Sequence, residues 1–252
     1  MSKFMFVTDL DNTLVNHNTS NDHDLKILNQ QLTHYRTEFG AKIVYATGRS
    51  PKLYSELAAE KQLITPDALV LSVGTEIYLD GDNTPDKSWA EILQTGWNRE
   101  KVIQITSGIA ELKPQPDSEQ RAFKVSFFLE KGDSEKILQK LDTELQKCGL
   151  NIKLIYSSEI DLDIIPQNSD KGQAMKFLRQ QWKFVAEQTV VCGDSGNDIA
   201  LFTSGDERGI IVGNARPELL EWHNENPTEN RYLAKNICSA GILEGLKHFG
   251  FL

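Results

Sequence analysis

The sequence has 252 residues, enough for one large domain or for two domains of unequal size. Its 39% hydrophobic and 25% charged residues exclude a disordered chain, a collagen-like chain and a small disulfide-stapled protein. A net charge of −9 argues against nucleic-acid binding, because nucleic-acid-binding proteins usually present basic surfaces.

The cysteines and the apolar segments favour a protein of a reducing compartment. Cys148, Cys192 and Cys238 form no CxxC pair and no zinc-ligand spacing, which is typical of reduced thiols. No run of about 18 apolar residues predicts a membrane-spanning helix, and the first apolar run is too short for a signal peptide. We therefore expect a cytoplasmic monomer without a membrane or nucleic-acid partner.

Alternating strands and helices are predicted from the start of the chain. Short apolar runs at residues 4–8, 41–46 and 68–73 predict strands. Between and after them, apolar residues spaced by three and four predict helices over 25–39 and 53–63. A strand–helix–strand–helix–strand order is typical of a parallel sheet with helices on its faces.

The middle of the chain loses this alternation. A polar segment rich in turn-forming residues precedes a strand at 123–129 and an amphipathic helix at 134–148. Two further strands are predicted at 152–156 and 160–165. This pattern predicts a smaller α+β domain inserted at about residues 82–160.

The α/β alternation then returns. The predicted elements are, in order, a helix, two strands and a closing helix, at residues 171–182, 189–192, 209–212 and 240–249. The predicted fold class is therefore α/β, a doubly wound parallel sheet formed by residues 1–81 and 161–252 and interrupted by the α+β domain. In such a sheet, ligands bind at the carboxyl ends of the strands.

Four groups of polar residues occupy the ends of predicted strands or the start of a helix. They are residues 9–13 (Asp-Leu-Asp-Asn-Thr), residues 47–49 (Thr-Gly-Arg), Lys171 and residues 193–198 (Gly-Asp-Ser-Gly-Asn-Asp). Each alone also fits a simpler role, such as a solvated turn, helix-capping acids or a surface charge. Because this fold gathers the strand ends at one edge, we expect the four groups to form one site.

A site built from these groups contains acids, a hydroxyl, a lysine and backbone amides exposed by glycines. Phosphoryl transfer requires a nucleophile, a proton donor, a cation and positive charge around the phosphoryl oxygens, and these groups supply them. Asp9, Asp11, Asp194 and Asp198 would repel one another and an anionic substrate without a cation among them. Oxygen ligands suit a hard cation, so the sequence predicts bound Mg²⁺.

In this order, the four groups resemble the four motifs of the haloacid dehalogenase-like phosphatase superfamily, one branch of which carries a cap between the second and third motifs. Further segments, spread over most of the chain, are similar to the sucrose-phosphate phosphatase family within that superfamily. These segments are residues 46–50, 73–78, 112–115, 161–166 and 214–219. The resemblance implies a Rossmann-like core and makes the inserted domain its cap.

The resemblance implies a role for each catalytic residue. Asp9 would attack phosphorus and form an aspartyl-phosphate, for which a carboxylate of ordinary pKa needs no activating base. Asp11 would protonate the leaving sugar oxygen and then activate water, a task that calls for a raised pKa. Thr47 would hydrogen-bond the phosphoryl group, and Lys171 would offset its charge.

The resemblance also implies the ligands of Mg²⁺. The Asp9 carboxylate, the Asp11 backbone carbonyl and Asp194 would hold the ion, while Asn197 and Asp198 would orient the surrounding waters and the catalytic lysine. We therefore assign Asp9, Asp11, Asp194 and Asp198 to the metal site.

Substrate contacts are expected from both domains. The candidates are Gly48, Arg49 and Asn197 in the core, and Glu76, Lys113, Gln115, Lys124, Asp161 and Asp163 in the cap or at its junctions. Each cap candidate is equally typical of a solvated surface residue, and Asp163 also fits a position in the hinge.

The resemblance implies a phosphoric monoester hydrolase that converts sucrose 6-phosphate to sucrose and inorganic phosphate, the last step of sucrose synthesis. Its substrate would be a small sugar phosphate, and sucrose-phosphate synthase is a candidate partner. Two alternatives stay open: a phosphatase for another glycosyl phosphate, and a non-catalytic carbohydrate-sensing or partner-binding module. The presence of Asp9, Asp11, Lys171 and Asp194 argues against the module.

Overall fold

Two β-sheets and the helices packed on them make up the part of the chain that the computed structural model describes, residues 3–18, 22–157 and 159–252. The strands of this part are β1 (Met5–Thr8), β2 (Lys42–Ala46), β3 (Ala68–Leu71), β4 (Glu76–Leu79), β5 (Lys113–Pro114), β6 (Val125–Phe128), β7 (Ile152–Ser157), β8 (Asp161–Pro166), β9 (Thr189–Gly193), β10 (Arg208–Ile211) and β11 (Arg231–Leu233).

The helices of the same residues connect and cover these strands. They are α1 (His23–Phe39), α2 (Pro51–Lys61), α3 (Lys87–Gln94), α4 (Arg99–Thr106), α5 (Ser134–Lys147), α6 (Lys171–Gln181), α7 (Ile199–Phe202), α8 (Pro217–Glu225) and α9 (Cys238–His248). Each of them is too short or too polar to cross a membrane.

The first sheet unites the beginning and the end of the chain. Its strand order is β11-β10-β9-β1-β2-β3-β4, and neighbouring strands are parallel except for β3 and β4. Helices cover both faces, as the alternating pattern predicts. The α/β fold class is confirmed.

The central strand β1 is apolar from Met5 to Val7 because both of its faces are buried. Phe4 and Phe6 point into the core beneath α1 and α9, whereas Met5 and Val7 point into the core beneath α6. Side chains alternate between the faces of a strand, so a strand covered on both sides needs an unbroken apolar run. This packing holds the end of β1, where the first acidic group begins, at the centre of the sheet.

The third strand is shorter than predicted, and the following strand was missed. β3 ends at Leu71 because Ser72 and Val73 take φ values of 54° and 62°, which turn the chain back into antiparallel β4. The Ser72 N–H donates to the Arg49 carbonyl at 2.9 Å, and the Val73 N–H donates to the Thr47 carbonyl at 3.1 Å. These bonds help to hold the unfavourable left-handed backbone against the loop that follows β2.

The second sheet forms a separate, smaller layer. Its order is β5-β6-β8-β7, and every neighbouring pair is antiparallel. Its core joins Val102 of α4, Leu141 of α5 and Phe127 of β6. The expected α+β architecture of the inserted domain is therefore present.

Two elements pack in a different domain from the one expected from boundaries at residues 82 and 161. β8 was assigned to the core domain, but it pairs with β6 and β7 in the second sheet. α3 was assigned to the cap, but its Trp89 and Leu93 are buried in the core of the first sheet. We propose that the cap spans about residues 95–167, because a strand belongs to the sheet that hydrogen-bonds it.

Candidate active site

The carboxyl ends of β1, β2 and β9 bring three polar loops to one edge of the first sheet. β1 lies between the other two strands and is parallel to both. The pairing continues beyond β1, where the Asp9 N–H donates to the Cys192 carbonyl at 3.0 Å. Asp9, Thr47 and Asp194 therefore follow the ends of neighbouring strands, as the fold predicts.

The start of α6 delivers the lysine to the same edge. The Asp170 side chain accepts a hydrogen bond from the Gln173 N–H at 2.7 Å, so the helix begins at Lys171. α6 then packs very closely on α7, since a Cβ on Gly172 would lie 2.0 Å from the Ala200 carbonyl oxygen. Glycine at this position lets the helix approach closely enough for the lysine to lie under the site.

Lys171 is completely buried beneath Asp9. Its Nζ donates to Asp9 Oδ1 and Asp198 Oδ1 at 2.7 Å each, and to Asn197 Oδ1 at 2.9 Å. Burial favours the neutral amine, but the charges of Asp198 and Asp9 outweigh burial and raise the pKa of Lys171. The side chain is therefore an ammonium ion held against the expected nucleophile.

Asp198 links the fourth loop to this lysine. Its Oδ1 binds Lys171, and its Oδ2 accepts the N–H groups of Asp194 and Ser195 at 3.0 and 3.1 Å. A Cβ on Gly193 would lie 2.5 Å from the Asp198 Cβ, so only glycine lets the loop fold over the carboxylate. Hydrogen bonds to the protein thus engage both oxygens of Asp198.

Three buried acids form the only group among the described residues that could hold a metal ion. Carboxylate oxygens of Asp9, Asp194 and Asp198 lie within 4.8 Å of one another. Burial raises the pKa of Asp9, against the opposing charge of Lys171, so the ordinary pKa expected for Asp9 is wrong for the metal-free site. Burial and then the charge of Asp198 raise the pKa of Asp194 to about 7. Uncompensated acids with oxygen donors suit a hard cation.

Asp11 lies in a different environment from the other acids. Arg49 donates Nε to Asp11 Oδ2 at 2.7 Å and Nη2 to Oδ1 at 2.6 Å, and His17 Nε2 lies 2.7 Å from Oδ1. Burial alone would raise the pKa of Asp11, but these contacts outweigh it and lower the pKa below its ordinary value. The raised pKa expected for Asp11 is therefore wrong for the ligand-free protein.

The two domains enclose a cavity of about 520 Å³ above these residues. Most of the predicted site residues line it together: Asp9, Asp11, Thr47, Gly48, Arg49, Gln115, Lys124, Asp161, Asp163, Asp194 and Asn197. Lys171 and Asp198 lie below the cavity lining, joined to Asp9 and to the fourth loop as described. The cavity thus has an acidic floor and a polar roof.

The structure places two predicted substrate residues outside this lining. Glu76 is buried, where it accepts hydrogen bonds from Arg121 Nε at 2.7 Å and from the Tyr78 hydroxyl at 2.8 Å. Lys113 has a side chain that is 70% exposed, and its Nζ lies 3.3 Å from Glu130 Oε1. Glu76 therefore joins core to cap through Arg121, and Lys113 is a surface charge.

The roof contains a buried network centred on Lys124, whose side chain is only 2% exposed. Its Nζ lies 3.4 Å from Asp163 Oδ1 and 3.9 Å from Glu119 Oε2. The Ser50 hydroxyl of the core donates to Glu119 Oε1 at 2.7 Å. Cap groups that face the cavity are thus tied to the start of α2, directly after the loop that carries Thr47.

Several cavity residues were not predicted individually as site residues, although four of them lie inside motif segments that the sequence analysis named. They are Asn12, Leu53, Val73, Pro116, Ser118, Glu119, Phe128, Ser157, Ser195 and Arg216. Arg216 lies in the segment 214–219, whose resemblance to the sucrose-phosphate phosphatases was a usable signal. Glu119 stands in a polar stretch with no periodicity, so no local pattern distinguishes it from a solvated loop residue.

Solved structures identify the class of this architecture. A haloacid dehalogenase-like hydrolase of Bacillus subtilis superposes with a TM-score of 0.72 over 98% of this chain and 92% of that one, at 17% identity. The fold is therefore that of the haloacid dehalogenase-like hydrolases. A sucrose-phosphatase of Synechocystis sp. PCC6803, solved with sucrose and phosphate, is 38% identical, with a TM-score of 0.89 over 99% of this chain and 98% of that one.

Sequence comparison narrows the class to one family. The model of the sucrose-6F-phosphate phosphohydrolases matches residues 2–250, and the chain belongs to this family. Probable sucrose-phosphatase 2 of Arabidopsis thaliana is 42% identical over 98% of the chain, which spans 60% of that relative's length. The mannosylfructose-phosphate phosphatase of Agrobacterium fabrum is 32% identical over 82% of the chain and 83% of its own length.

Proposed function

We propose that this protein is a Mg²⁺-dependent phosphatase that hydrolyses sucrose 6-phosphate to sucrose and inorganic phosphate. The observation that carries the proposal is the position of the Asp9 carboxylate, at the floor of the cavity and 2.7 Å from the buried Lys171 ammonium. Family membership and the likeness to a sucrose-phosphatase solved with sucrose and phosphate support this substrate.

Asp9 is the proposed nucleophile. Its carboxylate would attack phosphorus and form an aspartyl-phosphate, which water would then hydrolyse. Lys171 binds one carboxylate oxygen and holds the side chain at the cavity floor, so the ammonium also lies close to the charge that develops on the phosphoryl group. Thr47 lines the same floor, where its hydroxyl can donate to a phosphoryl oxygen.

Asp11 is the proposed acid for the leaving sugar oxygen and the base for the attacking water. In the ligand-free protein the Arg49 guanidinium keeps it as a carboxylate. An arriving phosphate would compete for that guanidinium and place a like charge beside Asp11. Both effects raise the pKa of Asp11, which makes the proton donor available only when substrate is bound.

Asp9, Asp194 and the Asp11 backbone carbonyl are the proposed ligands of Mg²⁺, with Asp198 completing the acidic cluster. The fit rests on the oxygen-only donor set and on the burial that, together with the charge of Asp198, raises the pKa of Asp194. Bound Mg²⁺ would supply positive charge that stabilises the phosphoryl oxygens. The Thr13 hydroxyl donates to Asp194 Oδ1 at 2.8 Å and so orients that ligand.

The cap is proposed to bind the sugar. Lys124, Asp161 and Asp163 face the cavity, and Gln115 Nε2 donates to Asp161 Oδ1 at 2.9 Å. A disaccharide exposes many hydroxyl groups, which need both donors and acceptors in the roof. The ammonium, amide and carboxylate groups of this roof provide both.

Phosphate release from sucrose 6-phosphate tests this function, with glucose 6-phosphate and fructose 6-phosphate measured beside it. Each assay is run with Mg²⁺ and with a chelator in excess. Release that requires Mg²⁺ and favours sucrose 6-phosphate supports the proposal. Equal kcat/KM for the three esters would contradict the proposed specificity for sucrose 6-phosphate but not the phosphatase activity. No release from any of them would contradict both.

A second substrate is favoured by one specific observation. The mannosylfructose-phosphate phosphatase relative matches this chain over most of both lengths, and it is named for a different disaccharide phosphate. The same cavity would accept a mannosyl in place of a glucosyl ring if the roof tolerates an inverted hydroxyl. Comparing kcat/KM for mannosylfructose phosphate and sucrose 6-phosphate decides between the two.

A non-catalytic sensing role, association with sucrose-phosphate synthase and a monomeric state are three further hypotheses. The presence of Asp9, Asp11, Lys171 and Asp194 argues against a carbohydrate-sensing module that lacks turnover. Association with sucrose-phosphate synthase is tested by a pull-down of the purified synthase with this protein. The absence of a complex would contradict the association. Size-exclusion chromatography with light scattering tests the expected monomer.

A further inference from the structure

The loop that carries the two catalytic acids is a tight turn. Asn12 takes a φ of 59°, in the left-handed region, and reverses the chain directly after Asp11. The N–H groups of Leu14 and Val15 donate to the Leu10 carbonyl at 3.0 and 2.8 Å and close the turn. The Asn12 carbonyl belongs to the peptide that follows Asn12, so a hydrogen bond to it holds this tight turn in place one residue after Asp11.

Asn214, in the loop after β10, binds that carbonyl from outside the turn. Its Nδ2 donates to the Asn12 carbonyl at 2.7 Å, and its Oδ1 accepts the Cys238 N–H at 2.9 Å. Cys238 begins α9, and the preceding Ile237 provides no side-chain cap. Asn214 thus supplies the acceptor that the start of a helix needs, and its amide joins the catalytic turn to α9.

The same loop also fixes the opposite wall of the site. The Arg216 N–H donates to the Asp194 carbonyl at 2.7 Å, and the Gly213 N–H donates to the Asn236 carbonyl at 2.8 Å. Residues 213–216 are therefore bonded to the loop of one proposed metal ligand and, through Asn214, to the turn that contains Asp11. A change in Asn214 would act on the relative position of these two loops.

We propose that Asn214 is a positioning residue of the phosphatase site, which aligns Asp11 through the Asn12 carbonyl. The inference rests on the function proposed above. Asn214 itself lies outside the lining of the cavity and acts only through the turn. A misplacement of a catalytic group by about 1 Å is enough to cost about a hundredfold in rate.

The substitution Asn214→Asp separates alignment from folding. It keeps the shape of the side chain and the acceptor for the Cys238 N–H, so α9 stays capped. It replaces the Nδ2 donor by a carboxylate oxygen, which repels the Asn12 carbonyl. The melting temperature should stay close to that of the wild type, while the turn shifts.

Two substrates report whether Asp11 is the group displaced. Hydrolysis of sucrose 6-phosphate needs a proton on the leaving sugar oxygen, whereas 4-nitrophenolate leaves without one. We expect Asn214→Asp to lower kcat/KM for sucrose 6-phosphate, which reports only the steps up to departure of the sugar, by about tenfold or more, with a much smaller loss of kcat/KM for 4-nitrophenyl phosphate. A merely structural role would lower both rates equally.

Two further variants control for the added charge and for the type of substitution. Asn214→Ser, which adds no charge, must give the same larger loss on sucrose 6-phosphate. Asn226→Asp is the matched control, because Asn226 is exposed directly after α8 and its Nδ2 donates to the Trp222 carbonyl of that helix, so both rates should stay unchanged. Equal losses on both substrates in a folded Asn214 variant, or no loss, would overturn the proposal. A wild type inactive on both substrates would instead overturn the proposed function.

Discussion

The guanidinium of Arg49 forms a two-point ion pair with the Asp11 carboxylate, through bonds of 2.7 Å from Nε and 2.6 Å from Nη2. Arg49 Nη1 also donates to the Leu53 carbonyl at 3.1 Å, which ties the guanidinium to α2. The fork geometry of arginine matches both oxygens at once, which a lysine cannot do. Arg49 therefore controls both the direction and the protonation of the proposed acid.

Replacing Arg49 by Gln should shift the pH dependence of catalysis. The guanidinium lowers the pKa of Asp11, so its loss raises that pKa and keeps the acid protonated to higher pH. We expect the alkaline limb of kcat/KM for sucrose 6-phosphate to move to higher pH, with a maximum reduced by about tenfold or more. A pH profile with an unchanged limb would contradict this role.

Asp9→Asn and Lys171→Met should have opposite effects on stability. Loss of the Lys171 ammonium leaves buried acids without their cation, which costs about 3–5 kcal/mol of unfolding free energy. Asp9→Asn removes one of those acids, so the metal-free protein should be at least as stable as the wild type. Both variants should lose turnover by about a thousandfold or more.

Urea unfolding and phosphate-release assays on the two variants check this pair. A stable Lys171→Met protein would mean that the ammonium is not needed to hold the acids together. Asp9→Asn protein with more than trace activity would remove Asp9 as the nucleophile.

Lys124→Ala should weaken sugar binding selectively. The Lys124 ammonium lies in the buried roof network, where it can reach a sugar hydroxyl, and a hydrogen bond to a charged group is worth about 1.5–3 kcal/mol. We expect KM for sucrose 6-phosphate to rise about tenfold or more, with little change in turnover of 4-nitrophenyl phosphate. Lys113→Ala is the matched control, because that side chain is exposed outside the cavity, and its kinetics should equal those of the wild type. Equal KM values in the two variants would place Lys124 outside sugar recognition.

Glu244 should stabilise the protein only above acidic pH. Its Oε1 accepts the Tyr232 hydroxyl at 2.6 Å and the Lys235 N–H at 3.1 Å, and its Oε2 accepts the Asn236 N–H at 3.0 Å. The Tyr232 bond and the backbone bonds lower the pKa of Glu244 to about 2. The unfolded pKa is about 4.3, so the stabilisation is complete above that pH and is lost as the pH falls toward 2.

Melting temperatures of the wild type and of Glu244→Gln, compared from pH 7 down to pH 3, measure this effect. The difference should be constant above about pH 5 and shrink below it, because the unfolded wild type then binds a proton that the folded carboxylate, with its lowered pKa, does not. A difference that grows on acidification would have the wrong sign for this mechanism.

Local sequence pattern predicts the first strand and the acid that follows it, but not the ion pair of that loop. β1 is an apolar run that ends in the buried Thr8, directly before Asp9, so the strand and its acid were both predictable. The ion pair between Asp11 and Arg49 was not predictable from local pattern, because the two residues are 38 positions apart and meet only through the pairing of β1 with β2. The lowered pKa of Asp11 follows from that meeting and not from either residue.

The cap illustrates the same division. β6, β7, β8 and α5 were predicted from local sequence pattern, but the sheet to which β8 belongs is decided by pairing with β6 and β7 across the chain. Glu119 and Lys113 are both charged residues of the same region, and only packing buries the first and exposes the second. Burial is a property of what surrounds a side chain, so a linear pattern without periodicity carries no information about it.

The sequence by itself determined the α/β class, the four polar groups and their convergence, because strand ends in a doubly wound sheet meet at one edge whatever their distance along the chain. Tertiary structure alone decided which charges touch: Lys171 with Asp9 and Asp198, Arg49 with Asp11, and Asn214 with the catalytic turn. Hydrogen bonds and ion pairs act over about 3 Å, and distances of that size are set by the packing of elements far apart in sequence.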